Sequence, residues 1–394
     1  MKWLWQNTTQ VGFGENAVKE HLGKFVKPNS KVLCTFGGGS IDKNGCRQDV
    51  NDALKELNCE VRWEGGIPPN PEYNRLMEIV QVVREFQPDI LIAVGGGSII
   101  DGTKFISCAA KLQPNEDPWE TILIQHHAPE QPYKFGVILT IPATGSEWNN
   151  GFVISRRETG WKIPGGFPTT YPYFSLIDPR YTMTLPVRQL RNGVFDAFTH
   201  CIDQFLTPEE CPMFDNFWMS LMKELVEIGP EVVKEGSSME LHERLCVACS
   251  FALNLIFTLG KPQYWEIHMF GHQLTARYGI DHGSSLAMVM PVFLESQLEA
   301  RKEMYAKVAE FVFNEHEGTV DEKAQALIRH IKYFIDQLNI PQTVSKWPDV
   351  KIEPGDVDEV TDNILQQTSQ GKPFGYNGCC TRELVHSVLE KVIV

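Results

Sequence analysis

The sequence predicts an α/β domain followed by an all-helical domain. Three observations carry this. In the first half, short apolar strand-like runs alternate with helical patterns, which argues for βαβ units and a parallel sheet. Two of those runs end directly in Gly-Gly-Gly-Ser. Beyond Leu185-Pro186 the β-rich runs stop and helix-like patterns take over.

Taken in order, Lys31 to Phe36 reads as a buried strand that meets Gly37-Gly38-Gly39-Ser40, and a helix follows from about Arg47 to Leu57. Glu60 to Trp63 is strand-like, and Tyr73 to Phe86 is helical. Asp89 to Val94 is a second apolar strand, running into Gly95-Gly96-Gly97-Ser98 and a helix through Lys104 and Ala109. Phe135 to Thr140 is a third. None of the three alternates in polarity, as expected of a sheet covered on both faces. Ile163-Pro164-Gly165-Gly166-Phe167-Pro168 is turn-rich and reads as a loop before a last strand, Tyr173 to Ile177. Helical patterns cover 187–258, 263–278, 285–313, 320–338 and 381–392. The expected division is therefore 1–184, an α/β domain, and 185–394, an all-helical domain.

Composition narrows the function classes. At 394 residues the chain is long enough for two or three domains of ordinary size, and 42% hydrophobic with 22% charged residues excludes disorder and coiled coil. No long uncharged apolar run supplies a membrane span. The N-terminus turns polar too early for the apolar core of a secretion signal. A net charge of −14 repels a polyanion, so nucleic acid is excluded as a partner. The ten cysteines form no disulfide or zinc-ribbon spacing; Cys246 and Cys249 are a lone pair in a helical stretch, and Cys379-Cys380 are adjacent. Reduced thiols in a cytoplasmic protein are expected.

A glycine-rich strand-to-helix turn lets the backbone approach a phosphate, and the helix after it offers free N–H groups and a positive dipole end. Two such turns after two apolar strands point to a dinucleotide, although neither matches G-x-G-x-x-G. Ser40 can donate to a phosphate, which favours NADP(H); Asp42, two residues on, works in the other direction.

The helical half holds a second constellation. Asp196 and His200 are four apart, as are His268 and His272, and each pair shares one helix face. His282 follows in Asp281-His282-Gly283. A carboxylate with several imidazoles makes a mixed N/O site that suits Fe(II), Zn or Ni. The other histidines, His21, His126, His127, His242, His316, His330 and His386, read as surface residues.

These residues carry a resemblance to the iron-containing (group III) alcohol dehydrogenases, and within them to the NADPH-dependent butanol dehydrogenase or aldehyde reductase subgroup. It runs through Thr9 to Gly14, Gly65 to Pro71, Val94 to Lys104, Thr140 to Glu147, Gly193 to His200 and His268 to Gly283, essentially the whole chain. The resemblance implies a dehydroquinate synthase-like fold, with the metal in the cleft between a Rossmann-type dinucleotide-binding domain and a helical metal-binding and catalytic one. It implies that Asp196, His200, His268 and His282 hold one divalent metal, Fe(II) in the first place, with Zn, Ni or Co also suitable. His272 would face the substrate without binding the metal, as a candidate proton relay. Gly96, Gly97 and Ser98 would hold the pyrophosphate. Gly37, Gly38, Gly39 and Ser40 would surround the adenosine ribose, with the 2′-phosphate near Gly39 and Ser40. Asn70, Asp101, Thr140, Thr144, Asn149 and Lys162 would line the cofactor cleft. Asp42 stands where subgroup relatives tend to carry Lys, and Trp148 and Trp161 are bulky additions near that cleft. The implied reaction is reversible hydride transfer between NADP(H) and a short-chain aldehyde or primary alcohol such as butanal or butanol, in a homodimer. NAD(H) is the lesser expectation. The other readings are an NAD-linked polyol dehydrogenase, a dehydroquinate synthase-like lyase, or a non-catalytic NADPH-binding sensor.

Overall fold

The computed structural model of the chain describes residues 2–207 and 209–394. Contacts divide it into two compact units: Leu4–Pro186 with Ser237–Asn254, and Val187–Gly236 with Leu255–Val394 and residues 2–3. No helix among the described residues is long and apolar enough to cross a membrane.

The first unit is built on a six-stranded, fully parallel sheet. Its strands are β1 (Gln10–Phe13), β2 (Lys31–Thr35), β3 (Glu60–Glu64), β4 (Ile90–Gly96), β5 (Phe135–Ile141) and β8 (Phe174–Ile177). They lie in the order β1-β8-β5-β4-β2-β3. Four helices connect strands within it: α1 (Ala17–Phe25), α3 (Cys46–Glu56), α4 (Tyr73–Phe86) and α5 (Gly97–Ala109), with a single turn, α2 (Ser40–Lys43), between β2 and α3. The lack of alternation in the strands has the expected cause. Leu33, Leu91, Ala93, Val137 and Leu139 pack with α4 and α5 on one face. Val32, Cys34, Ile92, Val94 and Ile138 pack with α1 and α3 on the other.

The winding reverses between β2 and β4. β3 lies on one side of β2, and β4 returns to the other, with Thr35 opposite Ala93. In an open α/β sheet this is where ligands bind, outside the carboxyl ends of the strands. Both glycine turns leave the sheet there.

Three parts of this unit depart from expectation. The stretch 163–168, expected as a loop, is largely strand: β6 (Gly151–Arg156) and β7 (Trp161–Gly166) form an antiparallel hairpin with Val153 opposite Pro164. A two-stranded ribbon has free edges, so the missing N–H of Pro164 interrupts no ladder beyond it. The edge strand β1, four residues long, was not anticipated. Helix α8 (Met239–Ala252), patterned like the helical half, packs with the N-terminal unit. His242 on α8 explains part of this and is a correction to its surface reading. It is buried, with Nδ1 2.7 Å from the Thr182 hydroxyl and Nε2 2.9 Å from that of Ser237. Ser250, also on α8, donates to the buried Glu147 carboxylate at 2.5 Å.

The second unit is helical: α6 (Val187–Phe205), α7 (Pro212–Val232), α9 (Glu266–Tyr278), α10 (His282–Ser296), α11 (Leu298–Phe313), α12 (Val320–Gln337), α13 (Asp356–Ser369) and α14 (Arg382–Val392). Helix α13 was not foreseen, because three acidic residues in its first turn mask a short apolar face. Trp218, Phe195, Phe198, Phe270, Phe293 and Tyr305 are fully buried and centre the core. All ten cysteines are free, as expected.

Candidate active site

The helical unit brings four of the five singled-out side chains onto one point. Asp196 and His200 lie one turn apart on α6, His268 begins the inner face of α9, and His282 opens α10. The Nε2 atoms of His200, His268 and His282 stand 3.6, 3.8 and 3.6 Å from Asp196 Oδ1. Asp196, His268 and His282 offer ligand atoms all within 4.8 Å of one another; His200 reaches Asp196 but lies outside this closest set. His272, one turn after His268, places its ring 6.3 Å from that of His268 and 5.2 Å from that of His282.

Close helix approach makes this convergence possible. A side chain at Gly283 would begin 2.3 Å from the Asn192 carbonyl oxygen, so α10 can start against α6 only because residue 283 has no Cβ. Gly271 does the same between α9 and α10, where a Cβ would meet Leu286 at 2.6 Å. The start of α10 is also clamped: Asn192 donates to Asp281 at 2.6 Å and accepts from Ser284 at 2.6 Å, while Arg188 pairs with Asp281.

The donor set fits a cation. Separations of 3.6–3.8 Å exceed a hydrogen bond. They are close to the spacing of ligands around one tetrahedral ion, about 3.4 Å for bonds near 2.1 Å. His268 Nδ1 lies 2.7 Å from Asp203 Oδ2, which places a proton on Nδ1 and turns Nε2 toward Asp196. That Nε2 is buried without a hydrogen-bond partner. Such an orphaned atom costs about 1–3 kcal/mol unless something binds it. Burial pulls His200 down to about 4, so it is a neutral imidazole ready to donate a lone pair. Burial also opposes a charge on His268, but the Asp196 and Asp203 carboxylates outweigh it and hold the group up at about 9. The ring of His282 is 21% exposed, against 5% and 6% for His200 and His268, so it marks the open side.

Two residues here escaped the sequence reading. Asp203 lies seven residues after Asp196, on the same face of α6, and that spacing was a usable signal. Besides His268 Nδ1 it accepts from the backbone N–H of His268 at 3.1 Å. Trp265 caps α9 in the left-handed region, at φ 54°, with its ring edge-on to His268 at 5.3 Å and to His200 at 6.1 Å. No sequence signal marks a tryptophan for that conformation.

The sheet unit gathers the other set. Gly96 ends β4 and α5 begins at Gly97 without an intervening loop. Ser98 accepts from the Asn70 backbone N–H at 3.2 Å, and Lys162 on β7 donates to the Asn70 side chain at 3.0 Å. Three expected residues, from α5, β7 and the loop before α4, thus form one network. At the first glycine turn, Gly38 faces open space, and a Cβ at Gly39 would meet only Asp42 Oδ2, at 3.9 Å. Beside it the Arg47 guanidinium lies over Phe36 at 4.2 Å and Trp63 at 4.6 Å. It also lies 2.7 Å from Asp42, an ion pair rather than an aligned hydrogen bond.

Other expected residues are engaged internally. Both Asp101 oxygens are taken, by the Ser146 hydroxyl at 2.6 Å and the Val153 N–H at 2.9 Å. Asn149 bonds the carbonyls of Gly145 and Leu253 and the N–H of Gly151. Thr144 accepts from the Ser146 N–H, and Thr140 is buried near the end of β5. The hub of this network is Lys104, buried, with Nζ bonded to Ser146 O, Ser146 Oγ, Asn149 Oδ1 and Gly151 O. Burial pulls its ammonium down to about 7 and pushes the Asp101 carboxyl up. A lysine three residues after an aspartate inside an otherwise apolar helix was the available signal. Trp148 packs against Phe251 at 4.9 Å, and Trp161 against the sheet core, so both are half-buried packing residues.

The comparisons agree along the whole chain. The model of the iron-containing alcohol dehydrogenases matches residues 8–179, and that of the Fe-containing alcohol dehydrogenase family, C-terminal, matches 191–392. This chain belongs to the iron-containing alcohol dehydrogenase family. It is therefore an oxidoreductase of a metal-binding, NAD(P)-dependent family. Among relatives, it is 40% identical over 340 residues to the NADPH-dependent aldehyde reductase YqhD of Escherichia coli, covering 86% of this chain and 87% of that protein. It is 31% identical over 392 residues to NADP-dependent alcohol dehydrogenase 3 of Entamoeba histolytica, covering 96% and 97%. The crystal structure of E. coli YqhD superposes with a TM-score of 0.93 at 36% identity, covering 99% of this chain and 98% of that one. The dehydroquinate synthase-like fold expected from the sequence is thus the fold observed.

Proposed function

We propose that this dehydrogenase is a metal-dependent, NADP(H)-linked alcohol dehydrogenase and aldehyde reductase acting on short-chain substrates such as butanal and butanol. The observation that carries the metal half is the turning of three imidazole Nε2 atoms onto one carboxylate oxygen. Asp196, His200, His268 and His282 are the residues that would hold the ion, with Fe(II) first and Zn, Ni or Co as alternatives. Such an ion polarises a carbonyl oxygen as a Lewis acid, and NADPH supplies the hydride.

The chain's own residues do the rest. Asp203 fixes the His268 ring and its tautomer. The partly exposed His282 leaves an approach for substrate. His272, close to the cluster but directed at none of the Asp196 oxygens within ion-pair distance, is the proposed proton relay, since imidazole exchanges protons near neutral pH. Trp265 walls His200 and His268 on another side.

For the cofactor, the N-terminal turn of α5, Gly97 and Ser98, would take the pyrophosphate, with Gly96 leading into it. Asn70 and Lys162 would reach the adjoining ribose or phosphate. Gly37 to Ser40 would surround the adenosine ribose, and Arg47 is the cation beside that turn which supports a 2′-phosphate. Asp42 is the observation on the side of NADH, but its charge is paired with Arg47. Asp101, Asn149 and Lys104 are positioning residues in this reading, because they hold the turn of 144–151. Thr140 and Thr144 keep their place as cleft-lining candidates. Free cysteines throughout suit a cytoplasmic location. The edge strand β1 exposes Val11 and Phe13 and is the proposed homodimer contact.

The test is NADPH oxidation with butanal on protein purified without oxygen, before and after chelation and with Fe(II) or Zn(II) restored. Loss on chelation and rescue by metal is the expected result. No turnover in any sample, with metal and NADPH bound, would overturn the reading in favour of a lyase or a sensor.

A further inference from the structure

The loop Phe374–Cys380 closes on the first residue of α9. Phe374 and Cys380 pair across it, and Gly375, Asn377 and Gly378 all have positive φ. The anchor is Glu266, 1% exposed, which Arg301 grips through both oxygens at 2.8 and 2.6 Å. Glu266 Oε1 also accepts from the Tyr376 N–H at 2.8 Å and from the Cys379 thiol at 3.3 Å. Cys379 Sγ lies 3.8 Å from Cys380 Sγ and 3.8 Å from Arg301 Nη2.

Glu266, Cys379 and Cys380 are close enough to suggest a metal site. The charge distribution argues against one. Glu266 Oε1 already accepts three donors, and the Arg301 guanidinium stands beside the sulfur where a cation would have to sit. Arg301 Nη2 and the Cys380 thiol, each 3.8 Å from Cys379 Sγ, are the neighbours that stabilise a thiolate there, against the Glu266 carboxylate, and the second thiol beside it is buried. The attacking and the resolving thiol are also distinguished by access, since Cys379 is half-buried and Cys380 fully buried.

We propose that Cys379 and Cys380 are a peroxide-sensitive dithiol that closes reversibly into a vicinal disulfide. The oxidant is a hydroperoxide. The Cys379 thiolate attacks its terminal oxygen and the O–O bond breaks. Cys379 becomes a sulfenic acid, and the released alkoxide or hydroxide takes a proton. The Cys380 thiol then attacks the Cys379 sulfur, forming the S–S bond and expelling the sulfenic oxygen as water. Two thiols lose two electrons and the hydroperoxide gains them. The Cys380 thiol donating to it outweighs burial and the Glu266 carboxylate and, with Arg301 assisting, pulls Cys379 below the usual thiol range, while donating to Cys379 together with burial pushes Cys380 up, which fits these two roles.

Adjacent Cα atoms are about 3.8 Å apart, shorter than the usual disulfide span of about 4.4–6.8 Å. The ring is therefore strained and easily reduced, the behaviour of a labile, responsive disulfide rather than a structural one. It would stay open in a reducing compartment until a hydroperoxide appeared.

The test uses the full chain loaded with Zn(II), which takes no part in redox chemistry. After hydrogen peroxide, intact-mass and peptide measurements should show a species lighter by two hydrogens, mapped to the peptide holding Cys379 and Cys380 and restored by dithiothreitol. Cys380→Ser should stop at a sulfenic acid on residue 379 that dimedone traps, and Cys379→Ser should give neither product. The proposal is overturned if wild-type Cys379 gains oxygen without closing the ring. It is overturned equally if oxidation maps only to Cys59, the other half-buried thiol, or if peroxide that oxidises free glutathione leaves the pair unchanged. None of these readouts depends on catalysis, so they stand apart from the test of the proposed function.

Discussion

Replacing Arg47 by Met should change cofactor choice more than cofactor binding in general. The guanidinium is held before any ligand arrives, over Phe36 and Trp63 and against Asp42, beside the Gly37–Ser40 turn. Met keeps the apolar stem over both rings and removes only the charge and its donors. A hydrogen bond to a charged group contributes about 1.5–3 kcal/mol, and at 0.59 kcal/mol for RT that is roughly a 10- to 150-fold effect. The Arg47 side chain is 23% exposed and already shared with Asp42, which places the expected loss toward the lower end, about 10- to 30-fold. The assay is kcat/KM for NADPH and for NADH at fixed butanal. NADPH should fall by that factor, and NADH, which has no 2′-phosphate, should stay within about twofold. Asp42→Asn should act in the opposite sense, raising kcat/KM for NADPH. An equal fall for both cofactors, or no change in either, would refute Arg47 as the phosphate partner.

Four further outcomes are expected. His268→Ala should lose bound metal and activity together, whereas His272→Ala should keep the metal by elemental analysis and alter the turnover and its pH profile. Asp203→Asn removes the acceptor that orients His268 and should weaken metal affinity about 10- to 100-fold in a chelator competition. Gly283→Ala inserts a Cβ 2.3 Å from a backbone oxygen of α6; chemical denaturation should show a loss of at least about 1–3 kcal/mol, with weaker metal binding alongside. Saturating metal at about a thousand times its dissociation constant should stabilise the helical unit by roughly 4 kcal/mol, and a melting curve indifferent to chelation would sink the assigned donor set.

Much of this fold was legible because its signals are local. The parallel strands are apolar on both faces and end in glycine turns, and the spacing of four in Asp196/His200 and His268/His272 is a property of any helix. What was not legible depends on partners distant in sequence. His242 reads as polar surface until Thr182 and Ser237 are seen to satisfy both its nitrogens. Pro164 and its glycines read as a loop because the ribbon needs Gly151–Arg156 beside it to exist. Asp101 reads as a residue of the cofactor cleft, yet both its oxygens are spent on Ser146 and Val153. Asp42 reads as an obstacle to a 2′-phosphate until Arg47, five residues on, is found against it.

A family motif is not of itself an argument for a ligand, because packing alone can require some of its residues. Gly95, Gly96 and Gly97 are of this kind: a Cβ on each would run into Ile99, Ile141 and Thr144. The fold demands glycine there whether or not a dinucleotide binds. Gly38 is different, since a side chain would meet nothing within 4 Å and the turn around it stays open. The histidine cluster is more telling still. His268 Nε2, turned onto the Asp196 carboxylate by the Asp203 contact at Nδ1 and buried without a hydrogen-bond partner, lowers the stability of the helical unit when nothing binds it. Three helices, α6, α9 and α10, approach closely enough to require Gly271 and Gly283 in order to build that arrangement. Function is argued best from the residues that folding alone would not choose, and in this chain those are the open glycine turn, the charged Arg47 held beside it and the convergent histidines.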